Sequence, residues 1–184
     1  MAEPQRRTLM DAAEVERVLA GMAQEIVRVT GGRDLLLVGI ERRGVQLADR
    51  IARAISGAGG EAPATGSLDI TLYRDDLMSV GPRPVVGQTR LPTGGIDGRH
   101  LVIVDDVLYT GRTVRAGLDE LADFGRPARI SLAVLIDRGE RELPIQADVV
   151  GRRVEVPRGG RVEVLVPEVD GSLGVELVSP EAAG

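Results

Sequence analysis

The chain's 184 residues, 43% apolar and 28% charged, have the length of one domain and the composition of a globular chain with its own core. Its 23 basic residues are all Arg against 28 acids, and the net charge of −5 argues against a surface coated for non-specific nucleic-acid or membrane binding. Absence of Cys excludes disulfides, a thiol nucleophile and Cys-ligated zinc; a single His excludes a His-rich metal site; absence of Lys excludes a P-loop, a Schiff base and a pyridoxal anchor.

The first eleven residues are polar and lack the apolar stretch of a secretory leader. The longest apolar run, Leu35 to Ile40, falls far short of the ~20 residues a membrane helix needs, so the expected location is the cytoplasm. Asp11 followed by Glu14 is a helix N-cap signature, and Val15, Val18, Leu19, Met22, Ile26 and Val29 then recur at helical spacing until Gly31-Gly32. Leu35 to Ile40 reads as a strand covered on both faces. After Glu41-Arg42-Arg43-Gly44 the residues Val45, Leu47, Ala48, Ile51, Ala52 and Ile55 return to helical spacing, and a strand is predicted near Leu68 to Tyr73. Arg74 to Gly98 has three prolines, five glycines and no periodicity, the mark of a functional flap or of disorder, with a surface insertion as the bland alternative. Leu101 to Val104 is a second buried strand; Val114, Leu118 and Leu121 mark a helix stopped by Gly125; Ile130 to Ile136 is a third buried strand. Alternation at Val162, Val164, Val166 and at Val175, Leu177 predicts antiparallel edge strands over about 149–178. The order is that of an α/β protein with a parallel sheet in one domain, residues 1–184. Of the three aromatic residues, Tyr73 and Phe124 are expected in the core and Tyr109 in an exposed loop.

The chemistry concentrates in Leu101-Val102-Ile103-Val104-Asp105-Asp106-Val107-Leu108-Tyr109-Thr110-Gly111-Arg112-Thr113. An apolar strand delivers two carboxylates to its carboxyl end, where open α/β sheets bind ligands. A short loop holding Thr110, Gly111 and Thr113 then opens a helix, whose amino end offers N–H groups and a positive dipole to a phosphate. A sugar phosphate satisfies both halves, its hydroxyls on the acids and its phosphate on the amides. A bare Asp-Asp pair more often caps a helix; the full thirteen-residue pattern favours the ligand.

That run resembles the phosphoribosyl-pyrophosphate (PRPP) signature of type I phosphoribosyltransferases. With Tyr109 in the loop it is similar to the PyrR family, pyrimidine operon attenuator proteins that also carry uracil phosphoribosyltransferase activity. Val38-Gly39-Ile40 followed by Arg43-Gly44 resembles the family's pyrophosphate loop, and Asp69 to Leu77 resembles its approach to a flexible flap. Leu132 to Gly139, followed by Arg141 to Ile145, resembles its base-side loop. The resemblance implies a type I phosphoribosyltransferase fold: a central, mostly parallel sheet flanked by helices, a flexible flap and a small antiparallel C-terminal extension. It implies transfer of phosphoribose from PRPP to uracil, giving UMP and pyrophosphate, with Mg²⁺ held mainly by substrate oxygens and water. Asp105 and Asp106 would hold the ribose, and Arg138 would line the base side. Val107, Leu108, Tyr109, Thr110, Gly111, Arg112 and Thr113 would bind PRPP; Arg42, Arg43 and Gly44 would take the pyrophosphate; Arg74, Asp75 and Asp76 would begin the flap. A non-proline cis peptide is expected within Ile40 to Arg43, and the implied assembly is a homodimer or higher homo-oligomer.

Several positions depart from the family pattern. Arg42 replaces the usual Thr of the pyrophosphate loop. Among positions tied in the family to RNA contact, this chain has Ala20, Gln24, Glu140 and Gln146, while Arg141 and Arg152 remain as candidates for leader mRNA. Arg138 has a bland alternative, an ion pair with Asp137 or Glu140, and Arg43 one as a surface charge. Three functions stay open: a uracil-specific enzyme, an RNA-binding regulator that uses the PRPP site as a sensor, and a purine or orotate transferase.

Overall fold

The computed structural model describes residues 5–74 and 87–179. Its centre is a sheet of five parallel strands, in spatial order β3 (Ala64–Leu68), β2 (Leu35–Ile40), β4 (His100–Leu108), β5 (Arg129–Asp137), β6 (Val149–Arg153). Successive strand residues point to opposite faces, and here both faces are covered. Leu35, Leu37, Val102, Val104, Ala133 and Leu135 face one core with the helices α1 (Ala12–Thr30) and α2 (Arg43–Gly57). Leu36, Val38, Ile40, Leu101, Ile103, Leu132 and Val134 face the other with α3 (Arg112–Phe124). Double burial is the reason these strands read as continuous apolar runs. Leu36, Leu37, Leu47, Ile51, Leu101 and Ile103 are less than 2% exposed, and each contributes about 1.5–3 kcal/mol on leaving water.

Local signals set the helix ends where the sequence predicts them. The Asp11 carboxylate accepts from the Glu14 N–H (2.8 Å) and the Glu14 carboxylate from the Asp11 N–H (3.0 Å), a reciprocal capping box. Gly31, at φ 80°, closes α1 by donating its N–H to the Val27 carbonyl.

The predicted C-terminal extension is present as a second, three-stranded antiparallel sheet. It joins β1 (Gln5–Met10), β8 (Gly174–Ser179) and β7 (Arg161–Leu165), with the short helix α4 (Pro167–Asp170) between β7 and β8.

Three local expectations are corrected. The strand expected near Leu68 to Tyr73 lies earlier, at β3, and Ile70–Tyr73 forms a turn of 3-10 helix because the Asp69 carboxylate captures the Thr71 N–H (2.9 Å). β6, expected antiparallel, joins the main sheet in parallel register beside β5. Phe124, expected in the core, is 48% exposed; it is the last residue of α3, whose buried stripe of Val114, Gly117 and Leu121 ends before it. Of the segment 74–98, residues 75–86 lie outside the described residues. The rest is anchored: Arg90 and Ser67 exchange backbone hydrogen bonds (2.8 and 2.9 Å), and Ile96 is 1% exposed.

Candidate active site

β4 runs past the point the sequence predicts, pairing Val107 and Leu108 with Ile136 and Asp137 of β5. Asp105 and Asp106 therefore sit within the last four residues of the strand. Each carboxylate accepts from the next backbone N–H: Asp105 from Asp106 (2.9 Å) and Asp106 from Val107 (2.8 Å). Asp105 is buried, at 5% exposure, and Asp106 is half-buried. Burial, and then the neighbouring Asp106 charge, push the Asp105 carboxyl well above the usual carboxylate range.

The chain leaves β4 through Tyr109–Gly111 and enters α3 behind Gly111, an N-cap with no side chain to offer; among the described residues, only the Arg112 amide of the first turn meets a side chain, the Thr110 hydroxyl at 3.3 Å. An uncapped helix start offers its backbone N–H groups and dipole to an anion. Gly111 makes the entry possible: it sits at φ 93°, and a Cβ there would lie 3.3 Å from Cβ of Ile145 and 3.4 Å from that of Leu143. The loop is backed from behind, since the Thr110 carbonyl accepts from the N–H groups of Glu142 (3.0 Å) and Leu143 (3.1 Å).

A cavity of about 510 Å³ is lined also by Glu41, Arg42 and Arg43, where β2 passes into α2. The cavity brings Arg42, Arg43, Arg74, Asp105, Asp106, Val107 and Thr113 together with Asp69 and Thr71. The Glu41–Arg42 peptide is cis, inside the stretch to which the resemblance points. Gly44 plays a packing part: a Cβ there would come within 2.5 Å of the Val104 carbonyl oxygen, so only glycine lets the start of α2 lie against β4. Arg43 makes a two-pronged pair with Asp170 of α4, Nε to Oδ2 at 3.0 Å and Nη2 to Oδ1 at 2.8 Å. Arginines over carboxylates suit a ligand that carries both phosphates and hydroxyls.

Other expected residues lie apart from this lining. Arg138 stacks on the Tyr109 ring, 3.9 Å from its centroid, and pairs with Glu140 at 2.7 Å. That is the ion pair anticipated as its bland alternative. Tyr109 is 43% exposed, as its loop position predicts. Arg141 donates to the carbonyls of Ile145 (3.0 Å), Tyr109 (3.0 Å) and Gly139 (3.2 Å) and to the Asp137 carboxylate (2.8 Å). Arg152 donates to the Leu9 carbonyl at 3.0 Å. Arg141 is thus tied into the loop around it, while Arg152 is exposed and makes one bond to the backbone. Ala20 and Gln24 lie with Ala23, Val27, Ala54 and Ile55 on a largely apolar groove between α1 and α2. His100, at the far end of β4 from the carboxylates, bonds to Ser131 (3.0 Å). Arg74 lines the cavity; Asp75 and Asp76 lie outside the described residues.

Two residues at the site were not singled out from the sequence. Asp69 lines the cavity and accepts from Thr71 and from the Gly87 N–H, joining the two ends of the segment that leads into the flap. Asp170 holds Arg43. Pro167 and Gly171 bracket a short helix in the sequence, but nothing local shows that its last residue faces Arg43.

A family model described as the phosphoribosyl transferase domain matches residues 6–160. The chain is 55% identical over 176 residues to the "Bifunctional protein PyrR" of Thermus aquaticus, covering 95% of this chain and 97% of that one. It is 54% identical over 178 residues to the protein of that name from Roseiflexus sp., covering 96% and 97%. Among solved structures it is similar to a hypoxanthine-guanine phosphoribosyltransferase from Bacillus anthracis, with TM-score 0.71, 17% identity and coverage of 97% and 99%. It is likewise similar to the hypoxanthine phosphoribosyltransferase of Trypanosoma cruzi, with TM-score 0.68, 20% identity and coverage of 95% and 97%. At such identities the structural likeness concerns the fold alone.

Proposed function

The chain belongs to the PyrR family of phosphoribosyl transferase domain proteins, and from that membership we propose that it transfers phosphoribose from PRPP to uracil and answers to UMP as a leader-RNA-binding regulator of pyrimidine genes. The observation that carries the catalytic half is one cavity lined together by Asp105, Asp106, Thr113, Arg42 and Arg43. In the reaction the bond from ribose C1 to the pyrophosphate oxygen breaks. A bond from uracil N1 to C1 forms, and N1 loses its proton. Positive charge builds on the ribose and negative charge on the departing pyrophosphate. Preorganised groups of opposite sign at those two places lower the barrier without a covalent intermediate. Asp106, half-buried and aimed by its bond from the Val107 N–H, faces the cationic sugar. Asp105 behind it accepts a ribose hydroxyl. Arg42 and Arg43 hold the pyrophosphate, and the amides at the start of α3 hold the 5-phosphate.

The donor set suits Mg²⁺, a hard ion that takes one or two carboxylates together with substrate phosphates and water. Asp105 and Asp106 are adjacent oxygen donors on the cavity wall, and among the described residues no group of three acidic or histidine side chains forms a complete cage. When bound, the ion neutralises the diphosphate charge.

The regulatory half rests on family membership. Arg141 spends most of its donors inside the fold, whereas Arg152 is exposed and bonds only the Leu9 carbonyl among the described residues, which leaves its other donors for an RNA phosphate. The chain works in the cytoplasm and as a homo-oligomer in this reading. The deciding experiment measures pyrophosphate release from PRPP with uracil, orotate, adenine, guanine or hypoxanthine. Turnover with uracil alone is the expected result, and turnover with a purine or orotate instead would overturn the assignment.

A further inference from the structure

We infer that Asp170, on the small helix α4 of the antiparallel sheet, is a positioning residue for pyrophosphate binding, acting through Arg43. The inference rests on the proposed reaction above and assigns that site a residue from outside the parallel sheet.

The geometry is specific. Asp170 Oδ2 accepts from Arg43 Nε at 3.0 Å and from the Val166 N–H at 2.9 Å, while Oδ1 accepts from Arg43 Nη2 at 2.8 Å. The carboxylate is thus held by its own helix and, being held, aims the guanidinium. Each group keeps the other charged: the hydrogen bond to Asp170 raises the Arg43 guanidinium, and the one from Arg43 lowers the Asp170 carboxyl. Side-chain exposures of 34% and 16% keep the pair half out of solvent, where a two-pronged arginine–carboxylate pair fixes an orientation that a flexible surface arginine lacks.

Donor accounting shows that the pair leaves Arg43 fit for a ligand. A guanidinium has five N–H donors. Asp170 takes one from Nε and one from Nη2, on a single edge. The two on Nη1 and the second on Nη2 remain on the edges turned away from Asp170. Arg43 lines the cavity and lies within the field of Asp106 across it. A diphosphate in the cavity therefore meets an arginine already ordered, with its charge partly balanced and three of its donors not taken by Asp170. Pre-ordering removes a side-chain entropy cost that binding otherwise bears. It also explains why β7, α4 and β8 belong to a domain whose reaction occurs on another sheet.

The opposite role, in which Asp170 competes with the ligand for Arg43, makes the opposite prediction. Inorganic pyrophosphate binding is measured by calorimetry on the full chain and on Asp170→Asn and Asp170→Ala, alongside KM for PRPP, KM for uracil, kcat and the thermal midpoint. Asp170→Asn keeps an oxygen for the Val166 N–H and separates the ion pair from the support of α4. Both variants are expected to bind pyrophosphate about fivefold to tenfold more weakly and to raise KM for PRPP equally, with kcat and KM for uracil within about twofold of wild type. Wild-type affinity in Asp170→Asn, with loss only in Asp170→Ala, would reduce Asp170 to a support for α4 and overturn the inference. Tighter binding in either variant would make it a competitor and overturn it too. A wild-type chain that binds pyrophosphate without turning over uracil would defeat the uracil assignment and leave this comparison decisive. One that binds no pyrophosphate at millimolar concentration would end the inference.

Discussion

Gly44→Ala tests the claim that a packing contact beneath the cavity sets the height of the pyrophosphate loop. A Cβ on residue 44 would stand 2.5 Å from the Val104 carbonyl oxygen, an atom fixed by the β4 ladder between β2 and β5. An ordinary contact needs about 3.4 Å, so the start of α2 must retreat by roughly 0.9 Å, because the obstacle is backbone and cannot rotate away. Overpacking of this kind typically costs about 1–3 kcal/mol, which in a chain of this size lowers the thermal midpoint by roughly 2–4 °C per kcal/mol. Function should suffer more than stability. Arg42 and Arg43 immediately precede the moved residue, and a displacement near 1 Å at a positioning group can cost about 10²-fold in rate. Gly57, at the other end of α2, is the control: a Cβ there meets nothing within 4 Å, so Gly57→Ala should stabilise by about 0.4–1 kcal/mol and leave catalysis untouched. The assay is kcat/KM for PRPP with uracil, together with thermal melting of both variants. Wild-type kcat/KM in Gly44→Ala would refute the argument that this contact places the loop.

Further outcomes follow from the same site. Asp106→Asn retains an oxygen for the Val107 N–H but removes the charge facing the ribose, so kcat/KM should fall by about 10²–10³ with little change in melting; an unchanged value removes Asp106 from the mechanism. Asp105→Asn should melt higher than wild type at neutral pH while losing activity. Burial and Asp106 raise the Asp105 carboxyl, so the fold favours its neutral form; that stabilisation is complete below the unfolded value, about 3.9, and is lost as pH rises through the folded one. The melting advantage of the variant should therefore be near zero at about pH 4 and grow toward pH 8, and a pH-independent difference would contradict the assignment. Binding to a pyrimidine-gene leader RNA should be weaker than the family pattern implies, or carried by different residues, because Ala20, Gln24, Glu140 and Gln146 stand at the family's contact positions. Nanomolar, UMP-enhanced, steeply salt-dependent binding in a gel-shift titration would show that other residues have replaced them.

Features whose causes lie within a few residues were legible in the sequence. Asp11 and Glu14 cap each other across three positions, Gly31 ends α1 one residue after its last turn, and Gly111 must adopt the backbone its own loop demands. Strands covered on both faces announce themselves as unbroken apolar runs, and the thirteen-residue stretch from Leu101 to Thr113 carries strand, carboxylates, loop and helix start in one piece. Tertiary structure decided what depends on partners distant in the chain. β1 is a polar, largely exposed stretch that becomes a strand because β8, at the other end of the chain, offers a free edge. β6 alternates weakly, and its direction follows from β5 beside it. Arg138 turned to Tyr109 and Glu140, although the residue type alone allowed it the base side of the cavity. Arg43 and Asp170 are 127 positions apart, and no periodicity links them. Short-range hydrogen bonds and side-chain alternation are written into neighbouring residues. A pair between two sheets exists only after both have packed, so its geometry belongs to the fold.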